Sequence, residues 1–204
     1  MLGSFIFFCS GLAFLYVFCT VRSILAASPG NAAMIWITNA IQEGASAYLA
    51  RQYKTISVVM VIFGALFWLF LPIHGVLGFL LGAVLSGFTG YIGMWVSVRC
   101  SGAVAQAARR GMAPALRLAF QGGSVTGLLV VGLGVLGTGT YYLHLRGIVA
   151  SERDMLTGLL SFGFGASFMS IFARMSGGIF AKGADLGAIL VSKMTSGIPE
   201  NDPR

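Results

Sequence analysis

Charge is what this chain has least of. Only 9% of its 204 residues are Asp, Glu, Lys or Arg, against about 25% in a soluble domain, which excludes an ordinary water-facing fold. Histidine is almost missing: His74 and His144 each stand alone, so nothing argues for a histidine metal site. Cys9, Cys19 and Cys100 show no CxxC spacing and have no histidine nearby. They read as small apolar residues, not as a disulfide frame, a redox pair or a zinc site. No charge precedes Arg22, whereas a cleaved secretory signal opens on a basic stretch and has a short apolar core. The first apolar run, about twenty residues long, is therefore expected to remain as an uncleaved helix despite the AAS at 26–28. The net charge is +7, but the basic residues sit at the ends of apolar runs and do not cluster with aromatics. That pattern excludes a nucleic-acid surface and fits the positive-inside rule of membrane proteins.

What is present is apolar length. Hydrophobic residues make up 57% of the chain, and the mean hydropathy is +0.88. Runs of roughly 17–25 such residues recur, enough to cross a bilayer. The expectation is an all-α, polytopic protein with residues 1–204 forming one membrane domain. Its five spans fall at about 2–26, 55–71, 76–98, 118–144 and 155–182. An amphipathic helical stretch over about 33–53 carries Glu43 and Arg51, and His74-Gly75 reads as a tight turn after Pro72. Residues 99–117, with Arg109, Arg110 and Pro114, read as a polar linker. Arg22, Arg51, Lys54, Arg99, Arg109, Arg110 and Arg117 follow spans one and three, whereas only Arg146 and Arg153 follow spans two and four. This asymmetry puts the N-terminus outside and the segment after span five in the cytosol.

No proline interrupts residues 155–198, so the last helix is expected to continue to about residue 196, roughly 60 Å at 1.5 Å per residue. That is twice the hydrocarbon core of about 30 Å. Its second half carries Arg174, Lys182, Asp185 and Lys193. At about 100° per residue from Arg174, Asp185 falls near 20°, Lys182 near 80° and Lys193 near 100°, so one helical face holds all four. Glu200 and Asp202 follow just past Pro199. Alternating cations and carboxylates suit a metal-bound anion such as phosphate, because Mg²⁺ takes one or two carboxylates plus phosphate oxygens while lysines neutralise the rest. A solvated helix end is the alternative. Arg174 lies inside the apolar part, where a charge faces a cavity or a partner carboxylate, or else snorkels to the interface.

Gly132-Leu133-Gly134-Val135-Leu136-Gly137 matches GxGxxG. The dinucleotide motif needs a preceding strand and a later acidic residue, and this one sits inside an apolar helix. Helix-packing glycines are the better reading. Gly158, Gly163, Ser167 and Ser170 suggest a similar small-residue surface on span five.

GGIFAKGADLGA at 177–188 and GIPENDPR at 197–204 resemble the membrane-bound, ion-pumping inorganic pyrophosphatases. So do AIQEGASAYLARQYKTI at 40–56, GYIGMWVSVR at 90–99 and GGSVTGLLVVGLGVLG at 122–137, in the same order. The resemblance implies a place in a larger bundle of roughly sixteen helices, spanning lipid in the one form that satisfies its own backbone segment by segment. It further implies homodimers in a plasma or inner membrane that hydrolyse cytosolic magnesium pyrophosphate and pump H⁺ or Na⁺. Mg²⁺ is the implied cofactor and K⁺ a candidate second one. Pyrophosphate, lipid, a second copy and further helices of the same polypeptide are the implied partners. By the same resemblance Lys182 and Lys193 contact pyrophosphate, Asp185, Glu200 and Asp202 serve the metal, and Arg174 belongs to an ion gate. Three positions depart from the family pattern: Ile189 and Asn201 stand where acids are usual, and Thr195 replaces the Glu that follows the signature Lys. These departures leave a degenerate, non-catalytic relative as the competing reading. Hydrolysis by these residues alone is not expected.

Overall fold

The computed structural model describes residues 2–28, 30–149, 151–195 and 197. Among them run five helices: α1 (Leu2–Ala26), α2 (Ala32–Phe70), α3 (Ile73–Ala108), α4 (Met112–Ile148) and α5 (Glu152–Thr195), with no strand. All five are long and apolar enough to cross a membrane. The chain is an all-α, polytopic membrane protein.

The helices run further than the apolar spans alone suggest. The amphipathic stretch before residue 54 and the span after it are one helix of 39 residues, because no breaker separates them. Asn31 caps its start by accepting the Met34 N–H at 3.0 Å, satisfying one of the orphan donors of the first turn. The turn to α3 is Leu71–Pro72, so His74 and Gly75 lie in the first turn of α3 and not in a loop. The expected linker over 99–117 is also mostly helix: its alanines, glutamine and arginines are good helix formers. The break is confined to 109–111, where Gly111 takes φ +131°, a backbone that side chains rarely adopt. Pro114 falls in the first turn of α4, where its missing N–H costs nothing.

α3 is the centre of the bundle, packing on α5, α4 and α2, while α1 lies mainly against α4. Helices in lipid gain little from hiding apolar surface from each other, so close approach and van der Waals fit decide their packing. Glycine supplies that approach. A Cβ on Gly82 would land on the Phe162 carbonyl, and one on Gly165 on the Phe79 carbonyl, so α3 and α5 meet almost backbone to backbone. Gly165 is not among the small residues flagged from the sequence. Of those that are, a Cβ on Gly158 would press on Leu145, whereas one on Gly163 would meet nothing within 4 Å. Within the GxGxxG run, Gly132 meets Ala13 and Phe14, and Gly137 meets Leu85 and Phe162. They are packing glycines in mid-α4.

Three clusters fill the interior. Val17, Ile24, Val96, Cys100, Val125 and Leu129 join α1, α3 and α4. Ile56, Met60, Phe79, Ala83 and Met169 join α2, α3 and α5, and Tyr141, Leu145 and Phe162 join α4 to α5. Around Phe79, which is fully buried, the rings of Phe67, Phe164 and Phe168 stand 4.8–6.2 Å away. Two tyrosine hydroxyls add interhelical bonds: Tyr53 donates to the Gly87 carbonyl and Tyr141 to that of His74. By contrast, Phe5, Phe8 and Phe18 of α1 are at least 60% exposed, as lipid-facing side chains are.

Candidate functional site

α5 positions four of the six residues expected to form the site. It is one unbroken helix, so the angular count holds and Arg174, Lys182, Asp185 and Lys193 share a face. Lys182 and Asp185, one turn apart, form an ion pair: Nζ and Oδ2 are 3.9 Å apart. Their side chains are 75% and 66% exposed, so the pair contributes at most about 1 kcal/mol to folding. Such groups remain available to a ligand. Lys193 is exposed as well, and Ile189 lies half-buried between it and Asp185 on the same face.

Along the axis the four charges divide into two places. Lys182 to Lys193 covers about 16 Å, within reach of one polyanion and its metal, whereas Arg174 lies about 12 Å short of Lys182. Arg174 is exposed, and no ion pair involves it among the described residues. One turn before it, Ser170 faces a cavity of about 540 Å³ between α3, α4 and α5, whose hydroxyls come from Ser86, Thr89, Thr126, Ser167 and Ser170. Ser167 and Ser170 therefore line open space. That cavity was not legible from the sequence, because its walls come from three helices distant in the chain.

Glu200, Asn201 and Asp202 lie outside the described residues, so their distance from Asp185 is not part of the geometry. Among the described residues no three His, Cys, Asp or Glu side chains gather. Asp185 alone supplies a carboxylate on the shared face, a donor of the kind Mg²⁺ takes together with phosphate oxygens. One further contact was not foreseen: the ring of Tyr48 on α2 lies 5.4 Å from that of Phe180, tilted by 43°, two residues before Lys182. Beyond Ser170 no described residue of α5 is buried, and Met175, Ile179, Leu186 and Val191 are 55–62% exposed.

A polytopic helical membrane protein whose last helix carries an exposed face of cations and a carboxylate is the class defined by this fold. The chain belongs to the inorganic H⁺ pyrophosphatase family, whose model matches residues 11–204. It is 50% identical over 186 residues to a K⁺-insensitive pyrophosphate-energized proton pump of Methanosarcina mazei, covering 90% of this chain and 26% of that protein. Over 194 residues it is 43% identical to K⁺-insensitive pyrophosphate-energized proton pump 2 of Moorella thermoacetica, covering 95% and 28%. A pump of the same description from Chloroflexus aurantiacus is 41% identical over 214 residues, covering 93% and 27%. The chain thus spans about a quarter of the length of the curated relatives it matches.

Proposed function

We propose that this chain is the N-terminal membrane part of a pump that couples hydrolysis of cytosolic magnesium pyrophosphate to proton movement. The single observation that carries this is the α5 face: Lys182, Asp185 and Lys193 exposed together on a chain that belongs to this family. In this reading Lys182 and Lys193 bind the pyrophosphate oxygens, and Asp185 holds Mg²⁺ with Glu200 and Asp202. The metal supplies charge stabilisation at the phosphate oxygens when bound. The lysines neutralise and orient the same anion. Asp185 keeps Lys182 aligned until the ligand arrives.

In the same reading Arg174, about 12 Å along the axis from Lys182, belongs to the gate between this site and the ion path. The likeness to K⁺-insensitive proton pumps supports H⁺ over Na⁺ and argues against a K⁺ requirement. The distribution of Lys and Arg supports an outside N-terminus and a cytosolic end of α5. The exposed apolar residues of that end support further helices and a second copy as its partners. On its own the 204-residue chain is expected to be inactive.

Ile189 and Thr195 favour a second reading, a non-catalytic relative that keeps the membrane scaffold. An apolar side chain in the middle of the charged face removes a metal ligand, and such losses cost about 10–100-fold or more. The two readings separate in inside-out vesicles bearing the protein in its native length. Proton uptake on adding magnesium pyrophosphate, without K⁺, supports the pump. Vesicles that hold the protein but neither hydrolyse pyrophosphate nor acidify would leave the scaffold.

A further inference from the structure

Before Glu152 the sequence contains a single Asp or Glu, Glu43 on α2. α1, α3 and α4 therefore carry no carboxylate, yet Arg22, Arg99, Arg109, Arg110 and Arg117 gather toward the end of the bundle where α3 turns into α4. Two of them face a cleft. A space of about 490 Å³ opens there between α1, α3 and α4, lined by Ser23, Arg110, Pro114, Arg117, Leu118 and Gln121. Both arginines are exposed, and neither makes an ion pair among the described residues. Two guanidinium groups, a hydroxyl and an amide line one cleft, with no carboxylate paired to either arginine among the described residues, and so offer a site for a phosphate group, which guanidinium binds bidentately.

The surroundings select the source of that phosphate. Along α4, Met112, Leu116 and Phe120 form a stripe at four-residue spacing and are 83%, 63% and 73% exposed. By helical geometry the stripe adjoins the cleft-lining Arg117, about 60° further round from Phe120. A free anion would use the arginines and leave the stripe bare, whereas a phospholipid uses both: the headgroup in the cleft and an acyl chain along α4. Basic pockets between transmembrane helices are where anionic headgroups bind. We propose that the α1–α3–α4 cleft is a binding site for an anionic phospholipid, with Arg110 and Arg117 holding its phosphate.

The test uses the protein in its native length in nanodiscs of phosphatidylcholine with about 20 mol% phosphatidylglycerol, an anionic headgroup of the kind such basic pockets bind. Native mass spectrometry then counts the lipid retained after mild activation. Phosphatidylglycerol should be retained well above its share in the disc. The doubly substituted Arg110→Gln, Arg117→Gln protein should lose that enrichment by about tenfold, and the Arg→Lys pair should keep most of it. Removing the same charge at the other end of the bundle, with Arg146→Gln and Arg153→Gln, should leave retention unchanged and controls for folding. Enrichment that survives Arg110→Gln, Arg117→Gln would overturn the site. So would its absence in the unmodified protein, as when another helix fills the cleft. Displacement of the lipid by millimolar inorganic phosphate would reassign the arginines to a free anion.

Discussion

As far as Ser170, α5 runs against α3 with carbonyls where side chains would otherwise stand, and Gly158, Phe162, Gly165 and Met169 are buried in turn. From Ile171 onward the same helix has no buried residue among those described, and its polar face carries Arg174, Lys182, Asp185 and Lys193. The first half is specified by fit to a neighbour that is present. The second holds its helical form with little packing beyond Tyr48 against Phe180, an exposure that the proposed ligand-binding role of its charged face requires. One helix is thus divided into two differently packed halves without any break in its backbone.

The contrast is broken most severely in the packed half. Gly82→Leu or Gly165→Leu places a side chain on a backbone carbonyl that cannot move aside. Overpacking of this kind costs about 1–3 kcal/mol or more, and little folded protein should survive a thermal challenge in detergent. In the charged half, substitutions should leave the unfolding temperature alone and strike activity. Arg174→Ala in the protein of native length should lower pyrophosphate-driven proton uptake more than hydrolysis, measured on the same vesicles. An equal fall in both would place Arg174 in the hydrolytic site.

Restoring acids at Ile189→Asp and Thr195→Glu sharpens the comparison at a smaller scale. If these positions weaken a pump, hydrolysis should rise by about tenfold; no change would show that the site tolerates them. The smallest effects belong to the GxGxxG run. Gly137→Ala meets Leu85 Cδ1 at 2.5 Å and Phe162 Cζ at 2.9 Å, whereas Gly134→Ala meets nothing within 4 Å. Denaturant unfolding should show a loss of about 1–2 kcal/mol for the first and about zero for the second.

The membrane class was legible because it depends on apolar length, a property of each segment alone. The shared face of Arg174, Lys182, Asp185 and Lys193 was legible for a similar reason: a helix without proline preserves its angular count. Helix ends were less so. Residues 99–108 look like a linker because they are polar, yet their alanines favour helix, and only the positive φ of Gly111 stops it. Least legible was what each helix meets. Gly165 reads like any glycine of an apolar span, and Ser167 and Ser170 could have packed or lined a cavity. Their partners on α3 and α4 are tens of residues away, and no periodicity within one helix encodes them.

The central claim is that the exposed charged face of α5 receives pyrophosphate. Its most direct test is the hydrolysis rate of the protein in its native length with Lys182→Ala or Asp185→Ala, beside an unfolding curve for each. We expect a loss of at least about 100-fold, as for removal of one preorganised charge-stabilising group, with the unfolding midpoint unchanged because the ion pair is exposed. Full hydrolysis in both variants would contradict the assignment and move the site away from this helix.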